Sequence, residues 1–311
     1  MRIGLLGTGP WARGVHAPAL AGHPGVEFAG VWGRRPEAAA EIAAEHGVPA
    51  YEDADKLIAD VDAVAVALAP QAQAELALRA AEAGRHLLLD KPVALTVPQA
   101  RRIADTVAAG RLASVVFFTL RFGGERVGWL AEQAARDGWF TARCDWLGAV
   151  FTTDSPYAAS PWRREKGALW DIGPHALSLL LPVLGDAATV TAAAGPADTV
   201  HLVIGHTGGA SSSTTVSLTA PPQAAGVALE LRGEAGVHRL PEAGVPPVEA
   251  FGHAVDGLLA AARSGTPHPC DAAFGLRVVE ILAAAEQSLT ERATVPLQPL
   301  PVTPQPPTTG A

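Results

Sequence analysis

The sequence predicts an α/β fold: an N-terminal doubly wound parallel sheet, then a C-terminal α+β domain with a large, mostly antiparallel, open sheet. Three observations predict it. Short apolar runs alternate with helical stretches from residue 3 to residue 118. The first run closes on a glycine turn, Gly7-Thr8-Gly9-Pro10-Trp11-Ala12. After Leu120 the alternation stops and strand-like segments dominate.

Ile3 to Leu6 is the first strand, and a helical stretch runs from Ala12 to about Ala21. Val26 to Trp32 is the second strand, followed by Gly33-Arg34-Arg35-Pro36 and a helix through His46. Asp62 to Leu68 reads as a buried strand ended by Pro70, and Gln71 to Ala83 as a helix capped by Gly84. The strand His86 to Leu89, the helix Val97 to Ala109 and the strand Ala113 to Phe118 complete the series. Strands and helices alternating at these lengths imply right-handed crossovers and a parallel sheet, so residues 1–119 form a nucleotide-binding domain. Residues 120–296 form the second domain. It opens on a helix from Glu125 to about Asp137. Its strands are Phe140–Ala149, Thr189–Ala194, Val200–Ile204, Ser212–Leu218, Gly226–Leu231 and Val237–Leu240. Its other helices are Pro174–Leu184, Val248–Arg263 and Ala272–Thr290. Residues 297–311 are a Pro-rich tail with Thr and Gly, expected to be disordered or extended.

With 311 residues, 49% of them hydrophobic, the chain has material for two domains and a sizeable core. A net charge of −8 with no basic face argues against a nucleic-acid partner. Cys144 and Cys270 lack metal-ligand spacing and suggest a reducing compartment without a disulfide frame. Met1 runs straight into a strand with no signal-peptide pattern. No run of apolar residues approaches the roughly 18 that a membrane span needs. A cytoplasmic protein is the expectation. No metal site is expected, because the remaining histidines have no paired ligand spacing.

The glycine turn is GxGxxA between a strand and a helix. Gly7 permits the tight turn, Gly9 lets backbone approach a pyrophosphate, and Ala12 lets the helix pack on the strand. The phosphate then sits at the helix N-terminus. An NAD site usually ends its second strand on Asp or Glu to hold the ribose hydroxyls. Here Gly33 stands there, with Arg34 and Arg35 after it. Arginine can pair with a 2′-phosphate that a carboxylate would repel. NADP is therefore favoured, with NAD possible.

Two further stretches carry chemistry. The strand from His86 ends on Asp90-Lys91-Pro92, which points a charged pair into the crevice at the carboxyl ends of the strands. Lys91 is one of only three lysines among 23 basic residues, so lysine stands where arginine is this chain's usual choice. In the second domain, Asp171 precedes the helix that Pro174 starts, and His175 lies in its first turn. Four residues apart, they can face one side and share or orient a proton. Trp162 and Arg163 can line a polar pocket, with a core position for Trp162 as the alternative, and Arg121 is assigned with them to the substrate side.

Residues 1 to about 296 resemble the glucose–fructose oxidoreductase/inositol dehydrogenase (Gfo/Idh/MocA) family. The likeness rests on the glycine turn, on Asp90-Lys91-Pro92 at the place of Glu-Lys-Pro, and on Asp171-Ile172-Gly173-Pro174-His175 at DxGxH. His268-Pro269-Cys270-Asp271 adds to it. The resemblance implies a Rossmann domain, an open-sheet second domain, and nicotinamide-dependent oxidation of a sugar or cyclic-polyol carbinol, or the reverse. It implies that Lys91 binds the reacting oxygen, that His175 is the general acid/base and that Asp171 orients the site. Pro70, Gln73, Asp90 and Lys91 are assigned to the cofactor beside the turn and the arginines. A homodimer or homotetramer through the second sheet is also implied. Four departures stand out: Asp90 for Glu, Gln73 for His, Lys166-Gly167-Ala168 for a glycine run, and Ser178 for an acid. The last two are expected near the substrate. Two other readings remain open. One is a non-catalytic dinucleotide-binding regulator or sensor. The other is an enzyme that reduces an unsaturated or imine bond, or works through transient oxidation with no net redox change.

Overall fold

The structure, a computed structural model, describes residues 1–299. Strand β1 (Arg2–Leu6) turns at Gly7 into a helical segment that is not uniform. Ala12–His16 is π-helical and α1 (Ala17–Gly22) continues from it. The single helix expected from Ala12 is thus split. Pro18 has no N–H for the carbonyl four residues back. The ladder widens there, and the Ala17 N–H reaches Ala12 O. Then come β2 (Glu27–Trp32), α2 (Pro36–His46), β3 (Ala50–Tyr51) and α3 (Ala54–Asp60). Neither β3 nor α3 is marked by the sequence pattern, because two and seven residues are too few to show a period. The α3 start is fixed locally, where the Asp53 carboxylate accepts the Asp55 N–H at 2.8 Å.

β4 (Ala63–Val66), α4 (Pro70–Glu82), β5 (His86–Asp90), α5 (Val97–Ala109) and β6 (Ser114–Phe117) complete the first sheet. Its order is β3-β2-β1-β4-β5-β6, with all pairs parallel. Strand order reverses between β1 and β4, which opens a crevice at their carboxyl ends. Helices cover both faces, so Ala63 to Val66 and Leu87 to Leu89 are wholly buried and apolar without alternation.

The second half runs α6 (Glu125–Ala134), β7 (Trp139–Leu147), α7 (Pro161–Asp171) and α8 (Gly173–Leu184). It continues with β8 (Ala187–Ala194), β9 (Val200–His206), β10 (Ser211–Ser217), β11 (Gly226–Gly233) and β12 (Gly236–Arg239). It ends with α9 (Pro247–Ser264), α10 (Ala272–Glu291) and β13 (Val295–Pro296). The sheet order is β12-β11-β7-β10-β9-β8-β13. Every pair is antiparallel except β7–β10, which is parallel. One face carries buried Ala142, Cys144, Leu202, Ile204, Val216 and Leu229. The other is open and presents polar and charged residues, among them Thr191, His201, Ser211, Ser213, Arg143 and Glu230.

The apolar stretch Pro161–Leu184 is long enough to cross a membrane, but 89% of its apolar window is buried inside the protein, as in a core helix. α10 packs against α5 and β8 and so joins the two halves. The first residue of the tail expected from Leu297 is tied to the second sheet. β13 pairs with β8, and the Leu297 N–H still bonds Ala188 O at 2.8 Å. The remainder of the expected tail, 300–311, lies outside the described residues.

Candidate active site

Lys91 follows the carboxyl end of β5, and the segment around it is gripped by one side chain. The buried Gln73 amide accepts the Asp90 N–H at 2.9 Å and donates to the carbonyls of Asp90 (2.7 Å) and Pro92 (3.0 Å). The Lys91–Pro92 peptide is cis. From this base the Lys91 ammonium reaches Asp171, donating to its backbone carbonyl at 2.6 Å and to Oδ1 at 2.7 Å. Arg163 Nε donates to Asp171 Oδ2 at 2.8 Å. Burial alone would raise the Asp171 carboxyl, but Lys91 and Arg163 outweigh it and hold the group at about 2. A carboxylate that binds two cations in a nearly buried place is ionised throughout the neutral range.

His175 stacks on Trp146, with ring centroids 5.0 Å apart, and its Nδ1 has no partner among the described residues. Burial, then the nearby Lys91 charge, pushes its pKa well below the usual 6.5, so the imidazole is neutral at pH 7. Arg163 lies between the Tyr157 ring (4.6 Å) and the Trp162 ring (4.7 Å). These side chains line a cleft of ≈ 510 Å³, with Gly9, Pro10, Trp11 and Asp90 at its other side. Burial raises the Asp90 carboxyl to about 7 against the pull of Lys91 and Arg163. Behind it, His16 Nε2 is 3.8 Å from Asp90 Oδ2. Burial drops His16 to about 3, so it is a neutral ring packed on Phe251 and not half of an ion pair.

The glycine turn leads out of this cleft into a second recess of ≈ 530 Å³ lined by Thr8, Gly9, Pro10, Arg13, Arg35, Glu37, Ala38 and Glu41. The fit to a dinucleotide can be tested on the glycines. Gly7 has φ 137°, and a Cβ there would stand 2.3 Å from Ala67 O, so the turn itself requires glycine. A Cβ on Gly9 would meet nothing within 4 Å: it would only fill the space above the turn. Helical geometry begins at Pro10, and the Arg13 N–H already bonds Gly9 O at 3.0 Å, so the first-turn N–H groups of Trp11 and Ala12 are the ones without an intrahelical acceptor. Turn, open cradle and helix start therefore suit a pyrophosphate. Gly33 is closed differently, because a Cβ there would lie 2.4 Å from the Thr8 side chain. No acid fits at position 33 unless Thr8 moves.

Residues 1–117 match the family model described as "Oxidoreductase family, NAD-binding Rossmann fold" of Gfo/Idh/MocA, and residues 143–239 match the Gfo/Idh/MocA C-terminal domain. The chain belongs to the Gfo/Idh/MocA family. It is 29% identical to inositol 2-dehydrogenase of Rhizobium meliloti over 225 residues, covering 71% of this chain and 66% of that protein. Matches to the first curated relatives span only 58%, 53% and 54% of their lengths. Among solved structures, levoglucosan dehydrogenase in complex with NADH and levoglucosan superposes with a TM-score of 0.83 at 22% identity, covering 96% of this chain and 99% of that one. GenD2 from gentamicin A biosynthesis, in complex with NAD, gives 0.83 at 22% identity, with 96% and 97% covered. At such identity these likenesses show the fold.

In this Gfo/Idh/MocA chain the expected site residues separate into three groups. Thr8, Gly9, Pro10, Trp11, Arg35, Asp90, Lys91, Trp162, Arg163, Asp171 and His175 line the two recesses. Gly7, Ala12 and Gly33 support the turn from beneath. Arg34 is exposed and lines neither recess. Pro70 is buried at the start of α4, and Gln73 spends its amide on the β5 end, so neither lines a recess. Arg121 turns away: it donates to Ser178 O at 2.7 Å and lies over the Phe274 ring. Ser178 and Lys166 were expected near the substrate. Instead, fully buried Ser178 bonds His175 O at 2.7 Å and Lys166 pairs with Glu286 at 3.1 Å. Asp171 and His175 share a face without a hydrogen bond, because two cations occupy both carboxylate oxygens. Sequence reasoning missed Arg13, Trp146 and Tyr157. Trp146 shares the strand parity of buried Ala142 and Cys144, and Tyr157 is one of two aromatics, with Phe151, in the loop 148–160. Both signals were there to be used. Among the described residues, no group of three or more His, Cys, Asp or Glu is placed to hold a metal ion.

Proposed function

We propose that this chain is a nicotinamide-dinucleotide-dependent oxidoreductase acting on a carbinol or carbonyl carbon of a sugar, inositol or related polyol. The observation that carries the reading is the convergence of Lys91 and His175 on the cleft into which the glycine turn opens. Lys91 has three N–H donors and gives two to Asp171, which leaves one for a substrate oxygen. That donor stabilises the charge that develops on the oxygen. His175, neutral at pH 7, accepts the hydroxyl proton during oxidation and returns it during reduction. Asp171 keeps Lys91 aimed, and Arg163 keeps Asp171 in place. When bound, the nicotinamide ring accepts or supplies the hydride. Oxidation of one CH–OH to a carbonyl would thus leave the hydroxyl proton on His175, with the hydride accounted for by the nicotinamide when bound. The names of inositol 2-dehydrogenase and levoglucosan dehydrogenase among the relatives support a polyol or sugar substrate.

NADP is the favoured cofactor in this reading. Support comes from Gly33, which offers the ribose no carboxylate, and from Arg35 and Arg13 in the outer recess. Arg13 pairs with Glu41 there, so Arg35 is the free guanidinium for a 2′-phosphate and replaces Arg34 in that role. The open sheet face, with its polar side chains and the exposed Val203, serves as a homo-oligomer interface.

Fluorescence titration of stripped protein with NADPH and NADH tests the cofactor, using Arg35→Ala and Arg34→Ala as the contrast. Turnover on a polyol and sugar panel tests the reaction. Lys91→Met and His175→Ala should each cost ~10²-fold or more in kcat. Parent protein that binds dinucleotide but turns over nothing on the panel would support a sensor instead.

A further inference from the structure

Asp198 lies in the turn between β8 and β9, away from the reacting side chains. Its carboxylate accepts an unusual set of hydrogen bonds. Oδ1 takes Ser217 Oγ (2.9 Å), Thr219 Oγ1 (2.6 Å) and the N–H groups of Leu218 (3.1 Å) and Thr219 (3.2 Å). Oδ2 takes the N–H groups of Leu218 (3.0 Å) and Ala168 (3.2 Å). The preceding Ala197 is held at φ 52°, in the left-handed region that alanine disfavours. Such a carboxylate works as a clamp.

The two things it clamps are adjoining parts of the cleft wall, since α7 packs against β10. Gly167 interrupts α7 with φ 61° and ψ −165°, so a new helical run starts at Ala168. The Ala168 N–H is a leading donor with no intrahelical acceptor. Asp198 accepts it as an N-cap residue would, but from a distant turn, and its negative charge sits at the favourable end of the helix. That run carries Asp171 on its first turn and leads through Ile172 into α8 and His175. The other donors belong to the end of β10. Leu218 lines the cleft there, and its carbonyl and that of Ser217 hold Val150 (2.8 Å) and Gly148 (2.6 Å).

We propose that Asp198 is a positioning residue for the reacting set. It fixes the helical run from Ala168 against the end of β10, so that Asp171 and His175 keep their register with Lys91. The inference rests on reading Lys91, Asp171 and His175 as that set, but its geometry is independent of any substrate.

The test uses full-length Asp198→Asn and Asp198→Ala with histidine-labelled NMR in the absence of ligand. His175 resonances report its stacking on Trp146. His206, bonded to Gly185 O and Ser212 Oγ, is the internal control on the same sheet. The expected result is displaced His175 signals, unmoved His206 signals and unchanged dinucleotide Kd. Turnover on whichever substrate the parent accepts should fall ~10-fold or more, with the loss in kcat. If Asp198→Ala does not fold, Asp198→Asn carries the test. Unmoved His175 signals in both variants, or a lowered Tm as the sole effect, would overturn the proposal. So would failure of both variants to fold, which would make Asp198 a folding residue. A parent without turnover would sink the oxidoreductase reading, and the His175 displacement would still be measurable.

Discussion

Replacing Asp171 by asparagine removes one charge and leaves two cations facing each other. The Asp171, Lys91 and Arg163 side chains are 8%, 13% and 20% exposed, so solvent screens them little. In the folded chain Asp171 ionises near 2, against an ordinary 3.8. The depressed value means that the ionised form is favoured by the fold. Its contribution is fully present above about pH 4 and is lost as pH falls towards 2. The gap corresponds to about 2 kcal/mol at neutral pH, of which about half remains at pH 3. Urea unfolding of the parent and Asp171→Asn at pH 7 and pH 3 measures both. The variant should be less stable by about 2 kcal/mol at pH 7, or more if the two stranded cations repel. The difference should narrow to about 1 kcal/mol at pH 3. Equal stabilities at pH 7, or a difference that does not narrow, would refute the argument that this carboxylate neutralises the cleft.

Three further outcomes follow from the same geometry. Gln73→Ala strands the N–H of Asp90 and the carbonyls of Asp90 and Pro92, and should cost at least ~1–3 kcal/mol in urea unfolding, so an unchanged midpoint would remove Gln73 as the clamp. Gly9→Val should fold as the parent does and lose dinucleotide fluorescence, whereas Gly7→Ala should lower Tm, because its Cβ meets Ala67 O at 2.3 Å. In the pH dependence of kcat/KM for oxidation, His175 should lose its base function only well below pH 6.5. A limb near pH 7 belongs to Asp90 and should vanish in Asp90→Asn; a limb near 6.5 that persists there would contradict the neutral, buried His175.

Much of the fold was legible because its signals are local. The apolar runs of β1, β4 and β5, the glycine turn and the proline before His175 each mark a chain position without reference to any other. Lys91, Asp171 and His175 were legible for the same reason, each standing at a strand end or helix start. Their partners were not. Spacing put Asp171 and His175 on one face, yet the carboxylate chose Lys91, which is 80 residues away, and Arg163. Charged donors bind a carboxylate more strongly than a neutral imidazole, and helix periodicity holds no record of what lies across the cleft. Arg121 failed in the same way, since a guanidinium in sequence next to the domain junction found the Ser178 carbonyl and the Phe274 ring instead. The parallel β7–β10 pairing was also hidden, because period-two alternation identifies a strand and not its neighbour. α7 is not marked in the sequence, because Gly167 breaks its pattern.

The bond between Lys91 and Asp171 sets a rule for recombination. Lys91 is delivered by the parallel sheet, whereas Arg163 and Asp171 both come from α7. A crossover breakpoint between residues 92 and 161 therefore takes the ammonium from one parent and its counter-ion from the other. A graft lacking the acid leaves an unneutralised lysine at the reacting centre, and one lacking the lysine leaves the acid with Arg163 alone. Libraries that shuffle second halves to seek new substrates should hold Asp171 fixed and vary the aromatic wall at Trp146 and Tyr157.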